Sequence, residues 1–283
     1  MKHLITGATG NIGSLVVLRL LERGERPRVF VRDADKAHRL FGDRVEVAVG
    51  DLTDKASLAT AMTGIDRVFL VTSGHELARL DALAADVAKA AHVQRLVKLS
   101  SIDARQQNVG TGVWHASGEA AIRASGVEFT FLQPSGFMSN ALYWARGIKS
   151  EGMVRSATGD GRIAFIHPAD IAAVSHAAML AVEWGGKSLP ITGPEALSYA
   201  EMTANIGAAI GRPLRYEEIS EEEARQQQMG WNARAPMIEA RLSIFRAIRA
   251  GLLEEVTDTV ERVLGRKPHR FDRWVTEEAA AFR

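Results

Sequence analysis

Thr6-Gly7-Ala8-Thr9-Gly10-Asn11-Ile12-Gly13 joins a short apolar run, His3-Leu4-Ile5-Thr6, to a stretch whose apolar residues fall at helical spacing. The three glycines stand on a G-x-x-G-x-x-G spacing. Gly7 can take the positive φ of a tight turn, Gly10 lets backbone N–H groups come close to a ligand, and Gly13 lets the helix pack against the strand. Thr9, Asn11 and Ile12 complete a loop at the helix N-terminus, where unpaired N–H groups and the positive dipole end favour an anion such as a diphosphate. A glycine triplet alone is weak evidence. Strand, loop and helix arriving in that order within one βαβ unit point to a bound dinucleotide. A rival phosphate loop at Gly186-Lys187-Ser188 fails, because Ala181 stands where its leading glycine belongs and a strand follows rather than a helix.

Outward from this loop, β-branched runs alternate with helical patterns up to about residue 133, the pattern of βαβ units around a parallel sheet. Strands are expected over His3–Thr6, Arg28–Val31, Val45–Val49, Arg67–Val71, Arg95–Leu99 and Glu128–Leu132, nearly continuous in apolar residues as strands covered on both faces should be. Helices are expected over Asn11–Arg23, Leu77–Ala91 and Trp114–Ala124, with Gly24 and Gly126 at C-terminal caps. The expected fold is α/β, a Rossmann-type doubly wound parallel sheet. Residues 1–133 would form the dinucleotide-binding core, and 134–283 a mixed, mainly helical substrate-binding part packed as one body with it. Within that second part a Gly- and Ser-containing segment, Pro134–Arg162, precedes a helix near Pro168–Val182 and a strand near Ser188–Thr192. Further helices fit Tyr199–Ile210, Ala235–Ala250 and Asp272–Phe282, and Glu217–Gln228 reads as a loose polar stretch.

Composition excludes several classes. Thirty-five Lys and Arg against 34 Asp and Glu leave a formal net charge of +1 over 283 residues, with no dense basic block, so nucleic acid is not an expected partner. Apolar residues at 46% and charged residues at 24% give the balance of a globular chain. The lack of cysteine removes disulfides, thiolate metal sites and thiol catalysis. With no His-Glu-x-x-His pair and no G-x-S-x-G elbow, neither a metal nor hydrolase chemistry is expected. No export signal is read at the N-terminus, and the longest mostly apolar stretch, Ile171–Trp184, contains Ser175, His176 and Glu183 and is too short to cross a bilayer. Cytoplasm is the expected location, without membrane contact.

After the second strand the chain reads Val31-Arg32-Asp33-Ala34-Asp35-Lys36. Asp33 lies about twenty residues past the glycine loop, where an acid would hold the ribose 2′-hydroxyl of NAD. Arg32, with Lys36 one turn further on, would instead clamp a 2′-phosphate. The two signals conflict; NADP(H) is expected over NAD(H), and a solvated charge cluster is the alternative to both. Asp51 and Leu52, in Val49-Gly50-Asp51-Leu52-Thr53, would reach the adenine edge, or Asp51 would cap a helix. Thr72, Ser73 and Gly74 would line the middle of the cofactor, because ligands in such folds lie beyond the carboxyl ends of the strands.

With Gly7-x-x-Gly10-x-x-Gly13, Val31-Arg32, Gly50-Asp51-Leu52, Ser100-Ser101 and Pro168-Ala169-Asp170-Ile171-Ala172 in order, the chain resembles the NmrA-like atypical short-chain dehydrogenase/reductases. Within that group it is similar to the NADPH-dependent quinone, azo-dye and triphenylmethane reductase branch. Typical short-chain dehydrogenases carry Tyr-x-x-x-Lys. Here Tyr143, Tyr199 and Tyr216 are followed four places on by Gly147, Thr203 and Ser220, so the usual acid of alcohol–ketone chemistry is missing. On the corresponding helix His115 and Glu119, in Trp114-His115-Ala116-Ser117-Gly118-Glu119, share a face and resemble the His-x-x-x-Glu of the quinone reductase branch. The resemblance implies an imidazole that donates a proton or bonds an acceptor oxygen, held and raised in pKa by the carboxylate; a surface histidine in an ordinary helix pair is the alternative. Ser100 or Ser101 occupies the place of the family's active-site serine and would bond a substrate oxygen, although strand-end hydroxyls also cap turns. Gln133-Pro134-Ser135-Gly136-Phe137-Met138 matches the stretch beside the nicotinamide. Gln133 and Pro134 would touch the cofactor, while Phe137, Met138, Tyr143 and Trp144 would wall a flat aromatic ligand or simply be core.

The leading functional expectation is an NADPH-dependent reductase that transfers hydride to a quinone-like or other planar aromatic acceptor, whose product anion is delocalised and needs no strong acid. A second is a non-catalytic NAD(P) sensor of the NmrA regulatory kind. A third is an aromatic polyketide tailoring enzyme that couples quinone reduction to oxygen-dependent hydroxylation. The expected partner is a small aromatic substrate, and the resemblance leaves room for a homodimer or a small partner protein.

Overall fold

Mostly apolar strands bury both faces only if helices cover them, and the computed structural model, which describes residues 1–106, 109–230 and 234–283, shows that arrangement. In chain order come β1 (His3–Thr6), α1 (Asn11–Glu22), β2 (Arg28–Val31), α2 (Ala34–Phe41), β3 (Glu46–Val49), α3 (Lys55–Met62), β4 (Arg67–Leu70), α4 (Leu77–Ala90) and β5 (Arg95–Leu99). Next are α5 (Gly112–Ser125), β6 (Phe129–Pro134), α6 (Ala145–Glu151), β7 (Met153–Ser156), β8 (Arg162–Ile163), α7 (Pro168–Leu180), β9 (Lys187–Ile191) and β10 (Leu197–Ser198). The chain continues with α8 (Tyr199–Ile210), β11 (Arg215–Glu218), α9 (Glu221–Met229), α10 (Ala235–Arg249), α11 (Thr259–Leu264) and α12 (Phe271–Glu277).

The main sheet has the order β3-β2-β1-β4-β5-β6-β9, and its strands from β3 to β6 pair in parallel. Ile5 of β1 stands opposite Val29 on one side and Phe69 on the other, so the first strand is central. The chain winds outward from β1 to β3 and then crosses to β4. Strand order therefore reverses between β1 and β4, and the crevice at their carboxyl ends is where this topology places ligands.

The chain resolves into two units. The first holds residues 1–105, 112–133 and 168–190, the second 106–111, 134–167 and 191–283. The expected division at 133 is thus corrected: the chain leaves the first unit there but returns to it at Pro168. The reason lies in α7, whose Ile171, Ala172, Val174, Ala178 and Met179 are all buried, so that it needs cover on every side. Arg95 of β5, 1% exposed, holds the end of that helix. Its guanidinium donates to the carbonyls of Ala178, Ala181 and Val182 and to Glu128, supplying positive charge where the helix dipole is negative. The second unit has its own core, with Met138, Ile148, Phe165, Tyr199, Met202 and Trp274 among its members, and pairs β7 with β11 and β8 with β10.

The helices α2, α3, α6, α9 and α11 and the short strands β7, β8, β10 and β11 escaped the sequence reading. α2 and α3 are short and weakly apolar, but each begins on an aspartate cap, Asp33 and Asp54. Glu217–Gln228 is not loose: β11 covers its start, and α9 opens on a capping box in which Ser220 and Glu223 satisfy each other's backbone N–H. The last expected helix is shorter, α12 giving way to a 3-10 turn over Ala279–Phe282.

Arg95→Leu leaves three carbonyls at the end of α7 without their donor, and should lower the free energy of unfolding by about 2–4 kcal/mol in urea titrations.

Candidate functional site

The glycine loop separates into residues the fold requires and one it does not. A Cβ on Gly13 would lie 2.2 Å from the Gly7 carbonyl oxygen, and one on Gly7, whose φ is +59°, would lie 2.9 Å from Val71 Cβ. Both positions are closed to a side chain by the protein itself. Gly10 has an ordinary φ of −97°, and its Cβ would meet only the Gly7 oxygen at 3.2 Å. Its bareness serves no internal contact. The Gly10 N–H donates to Gly7 O at 2.9 Å to close the turn, and the Val71 N–H donates to Thr6 Oγ1 at 2.7 Å to tie the loop to the end of β4. α1 starts with no side-chain cap and no acidic residue in its first turn. Gly7, Gly10 and Asn11 are exposed and Thr9 half-buried, whereas the Ile12 side chain belongs to the core, so that what Ile12 can offer a ligand is backbone. A bare Gly10 before an uncapped, uncompensated helix N-terminus fits the diphosphate of a dinucleotide.

At the ends of β2 and β3 the acids are turned back on the backbone. Asp33 caps α2 by accepting the Lys36 N–H at 2.9 Å. Asp51 accepts from the Thr53 N–H at 2.8 Å and its hydroxyl at 2.7 Å. Those bonds, with the charge of Arg32, hold the Asp51 carboxyl below the usual range. The helix cap nearby is Asp54, not Asp51, which corrects that alternative. Leu52 is half-buried against the core of the first unit. Arg32 and Lys36 are exposed and make no ion pair among the described residues.

Under the carboxyl ends of β4 and β5 lies a charge cluster that the sequence reading missed. Lys98 and Asp81 have no exposed surface, and Lys98 Nζ lies 2.8 Å from Asp81 Oδ2 and donates at 2.9 Å to Thr72 Oγ1. The Thr72 hydroxyl in turn donates to Asp81 Oδ1 at 2.7 Å, so this side chain serves the cluster. Burial presses Asp81 up and Lys98 down while each holds the other charged. Gly118 of α5 rests on this pair: a Cβ there would come within 2.0 Å of Asp81 Oδ2. Ser73 is exposed, and Gly74, with φ +85°, has open space where a Cβ would be. One signal for the cluster was present in the sequence, a lysine inside the apolar run Leu96-Val97-Lys98-Leu99, which has to find an anion.

One residue after Gly118, the Glu119 carboxylate gathers three donors: Ser100 Oγ at 2.6 Å and Gln133 Nε2 at 2.8 Å on one oxygen, Arg123 at 3.4 Å on the other. Ser100 thereby commits its proton to this bond and offers other groups only lone pairs. Ser101 accepts the Asp103 N–H at 3.2 Å and so stabilises the turn over Ile102–Arg105. The expected His115–Glu119 pair does not form. His115 is buried, its Nδ1 has no hydrogen-bond partner, and burial together with the charge of Lys98 pushes its pKa down to about 3. The expectation of a raised value is overturned because Glu119 is taken up by Ser100, Gln133 and Arg123. Gln133, expected on the cofactor, likewise has its amide nitrogen committed to Glu119.

In the second unit Phe137 bridges to Ile166 and is half-buried, and Pro134 is buried. Met138, 1% exposed, is part of that unit's core, which corrects its place on an aromatic wall. Tyr143 is 57% exposed, and Trp144 lies 4.7 Å from the ring of Tyr199. Tyr199 is buried, and burial raises its hydroxyl well above the ordinary value. Among the described residues no group of three His, Cys, Asp or Glu could hold a metal, and no helix is long and apolar enough to cross a membrane.

A family model described as NAD(P)H-binding matches residues 7–180. The chain is similar to the (4-alkanoyl-5-oxo-2,5-dihydrofuran-3-yl)methyl phosphate reductase of Streptomyces griseus, at 38% identity over 99% of this chain and 98% of that protein. It is similar as well to the NAD(P)H azoreductase of Xenophilus azovorans, at 36% identity over 99% of this chain and 98% of that protein. Among solved structures, an NADPH-dependent quinone oxidoreductase of Escherichia coli complexed with NADPH shares the fold, with a TM-score of 0.89 at 23% identity over 98% of this chain and 99% of that one.

The loop geometry separates two alanine variants. Gly10→Ala should melt like the parent protein yet bind the dinucleotide at least about tenfold more weakly in calorimetry, a loss of ~1.4 kcal/mol. Gly13→Ala should instead lose about 1–3 kcal/mol of stability by overpacking against the Gly7 carbonyl. With the phosphate loop, the strand order and the likeness over the whole length of two reductases in agreement, the chain belongs to the NAD(P)H-binding family, in its branch of atypical short-chain NAD(P)H-dependent reductases.

Proposed function

We propose that this oxidoreductase passes hydride from NADPH to a planar, conjugated, electron-poor acceptor of the quinone or azo kind. One observation carries the reading: none of the expected proton donors is armed. The Ser100 proton is engaged by Glu119, His115 is a neutral imidazole with a pKa of about 3, and burial raises both Tyr199 and Tyr216. An isolated ketone would leave a localised alkoxide that needs an acid, whereas a conjugated acceptor spreads the charge and takes its proton from water. The printed names of the relatives agree. A 4-alkanoyl-5-oxo-dihydrofuran carries a double bond conjugated to carbonyl groups, and azo and quinone compounds are conjugated likewise.

When bound, the nicotinamide supplies the hydride. The residues of this chain do the rest: the bare loop at Gly10 and the N-terminus of α1 hold the diphosphate, and Thr72, Ser73 and Gly74 line the strand ends beyond it. Glu119 fixes Ser100 in place near the end of β5, and His115 contributes a neutral ring. Arg32 and Lys36 hold the 2′-phosphate, which supports NADPH over NADH because Asp33 and Asp51 are both turned to backbone N–H groups.

A panel of acceptors at saturating NADPH tests the first claim. Naphthoquinone, an azo dye and an acylated butenolide should be reduced, and saturated ketones should not; efficient reduction of an isolated ketone, or inertness toward every conjugated acceptor, would refute the reading. For the second claim, Arg32→Ala should raise KM for NADPH about 10–100-fold with little change for NADH, the value of a charge-assisted contact.

A further inference from the structure

At the amino ends of the strands the register sets His3 of β1 beside Arg67 of β4, and Arg67 beside Arg95 of β5, so the three form one row on one face of the sheet. Arg95 donates to carbonyls at the end of α7, which identifies that face as the one α7 covers. α7 packs there on β4, β5 and α1, all within the first unit. The row is short of acceptors. Arg67, 7% exposed, has Nε and Nη1 buried without a hydrogen-bond partner, and it reaches Glu128 only at 3.7 Å, a carboxylate already held by Arg95 at 2.6 Å. His3, 2% exposed, lies through Nδ1 at 2.8 Å from Glu25 Oε2, while its Nε2 is buried with no partner. His176 of α7 is half-buried, and its Nε2 is likewise buried and unpartnered.

A proton added to either ring would create a buried charged N–H with no acceptor. The charges around the rings do not relieve it. His3 feels Glu25 and Asp66 against Arg67 and the N-terminal amine, and His176 feels Glu25 against Arg19, Arg23 and His3. Burial is the largest influence on both rings and holds both below the ordinary imidazole value. We propose that His3 and His176 form a proton-sensitive seat for α7: neutral rings let the helix lie against α1 and the strand row, and protonation in mild acid favours its release. A histidine depressed in this way binds fewer protons in the closed chain than in the opened one. Its contribution is therefore complete above about pH 6.5 and is lost as the pH falls below that value.

Amide hydrogen exchange of the full chain at pH 7.5 and pH 5.5 tests the seat, because protection factors report a rare open form that turnover does not see. Protection of α7 should fall about 10–100-fold between the two values, about tenfold for each histidine that titrates only on opening, and at pH 5.5 it should lie below that of α4. His3→Gln and His176→Gln keep a polar side chain that does not titrate, and each should remove about tenfold of the fall. Arg67→Met leaves both rings in place but removes the cation beside His3, and should shrink the fall in part. A variant that merely loosens packing would lower protection equally at both pH values. The same fall in the double variant His3→Gln/His176→Gln as in the parent protein would overturn the proposal. Ring resonances of His3 and His176 in the parent protein give a second reading that needs no variant. They should not shift between pH 7.5 and 5.5, and a titration of both centred near pH 6.5 would refute the seat.

Discussion

Lys98 has no exposed surface, and a wholly buried ammonium obliges the chain to bring an anion inside with it. Asp81 answers from α4 and Thr72 from the end of β4, and the rest of the strand-end geometry follows from that demand. Gly118 has no side chain because Asp81 occupies the space, which lets α5 settle against α4. Glu119, the next residue, is thereby brought to Ser100 and Gln133, and His115, one turn earlier, comes under the repulsion of the same ammonium. Removing either partner of such a pair generally costs about 3–5 kcal/mol, so this constraint is enforced by the stability of the fold itself.

The chemical consequence is a site rich in polar groups and poor in acids. Near the ends of β5 and β6 the Ser100 hydroxyl and the Gln133 amide are both committed to the Glu119 carboxylate, which gives rigidity and withholds proton donation. The glycine loop shows the complementary economy. Gly7 and Gly13 are dictated by neighbouring atoms, whereas the bareness of Gly10 answers to no close internal contact. The first unit thus carries the loop that fits a diphosphate, and in an NAD(P)H-dependent reductase the hydride comes from the cofactor.

Much of this was legible in the residues. The parallel strands from His3–Thr6 to Arg95–Leu99 were readable because continuous apolar runs between glycine-marked turns have few other uses, and the positive φ of Gly24 and Gly126 agrees with their expected caps. The short helices α2 and α3 were hidden because their apolar faces are slight and their identity rests on aspartate caps. The return of residues 168–190 to the first unit was unreadable, since periodicity shows that a helix is buried but not against what. At the site, the pairings were not legible. His115 and Glu119 share a helix face, yet Glu119 finds partners just past β5 and on β6 that are distant in sequence, and only the fold brings them within reach.

The pH dependence of kcat/KM for a quinone at saturating NADPH, followed between pH 5.5 and 8, tests this view most directly. A buried imidazole with a pKa of about 3 stays neutral throughout that window, and a serine bonded to a carboxylate does not titrate in it, so the profile should be flat. A limb with an apparent pKa near 6.5 that disappears in His115→Gln would show a working histidine acid and contradict the account.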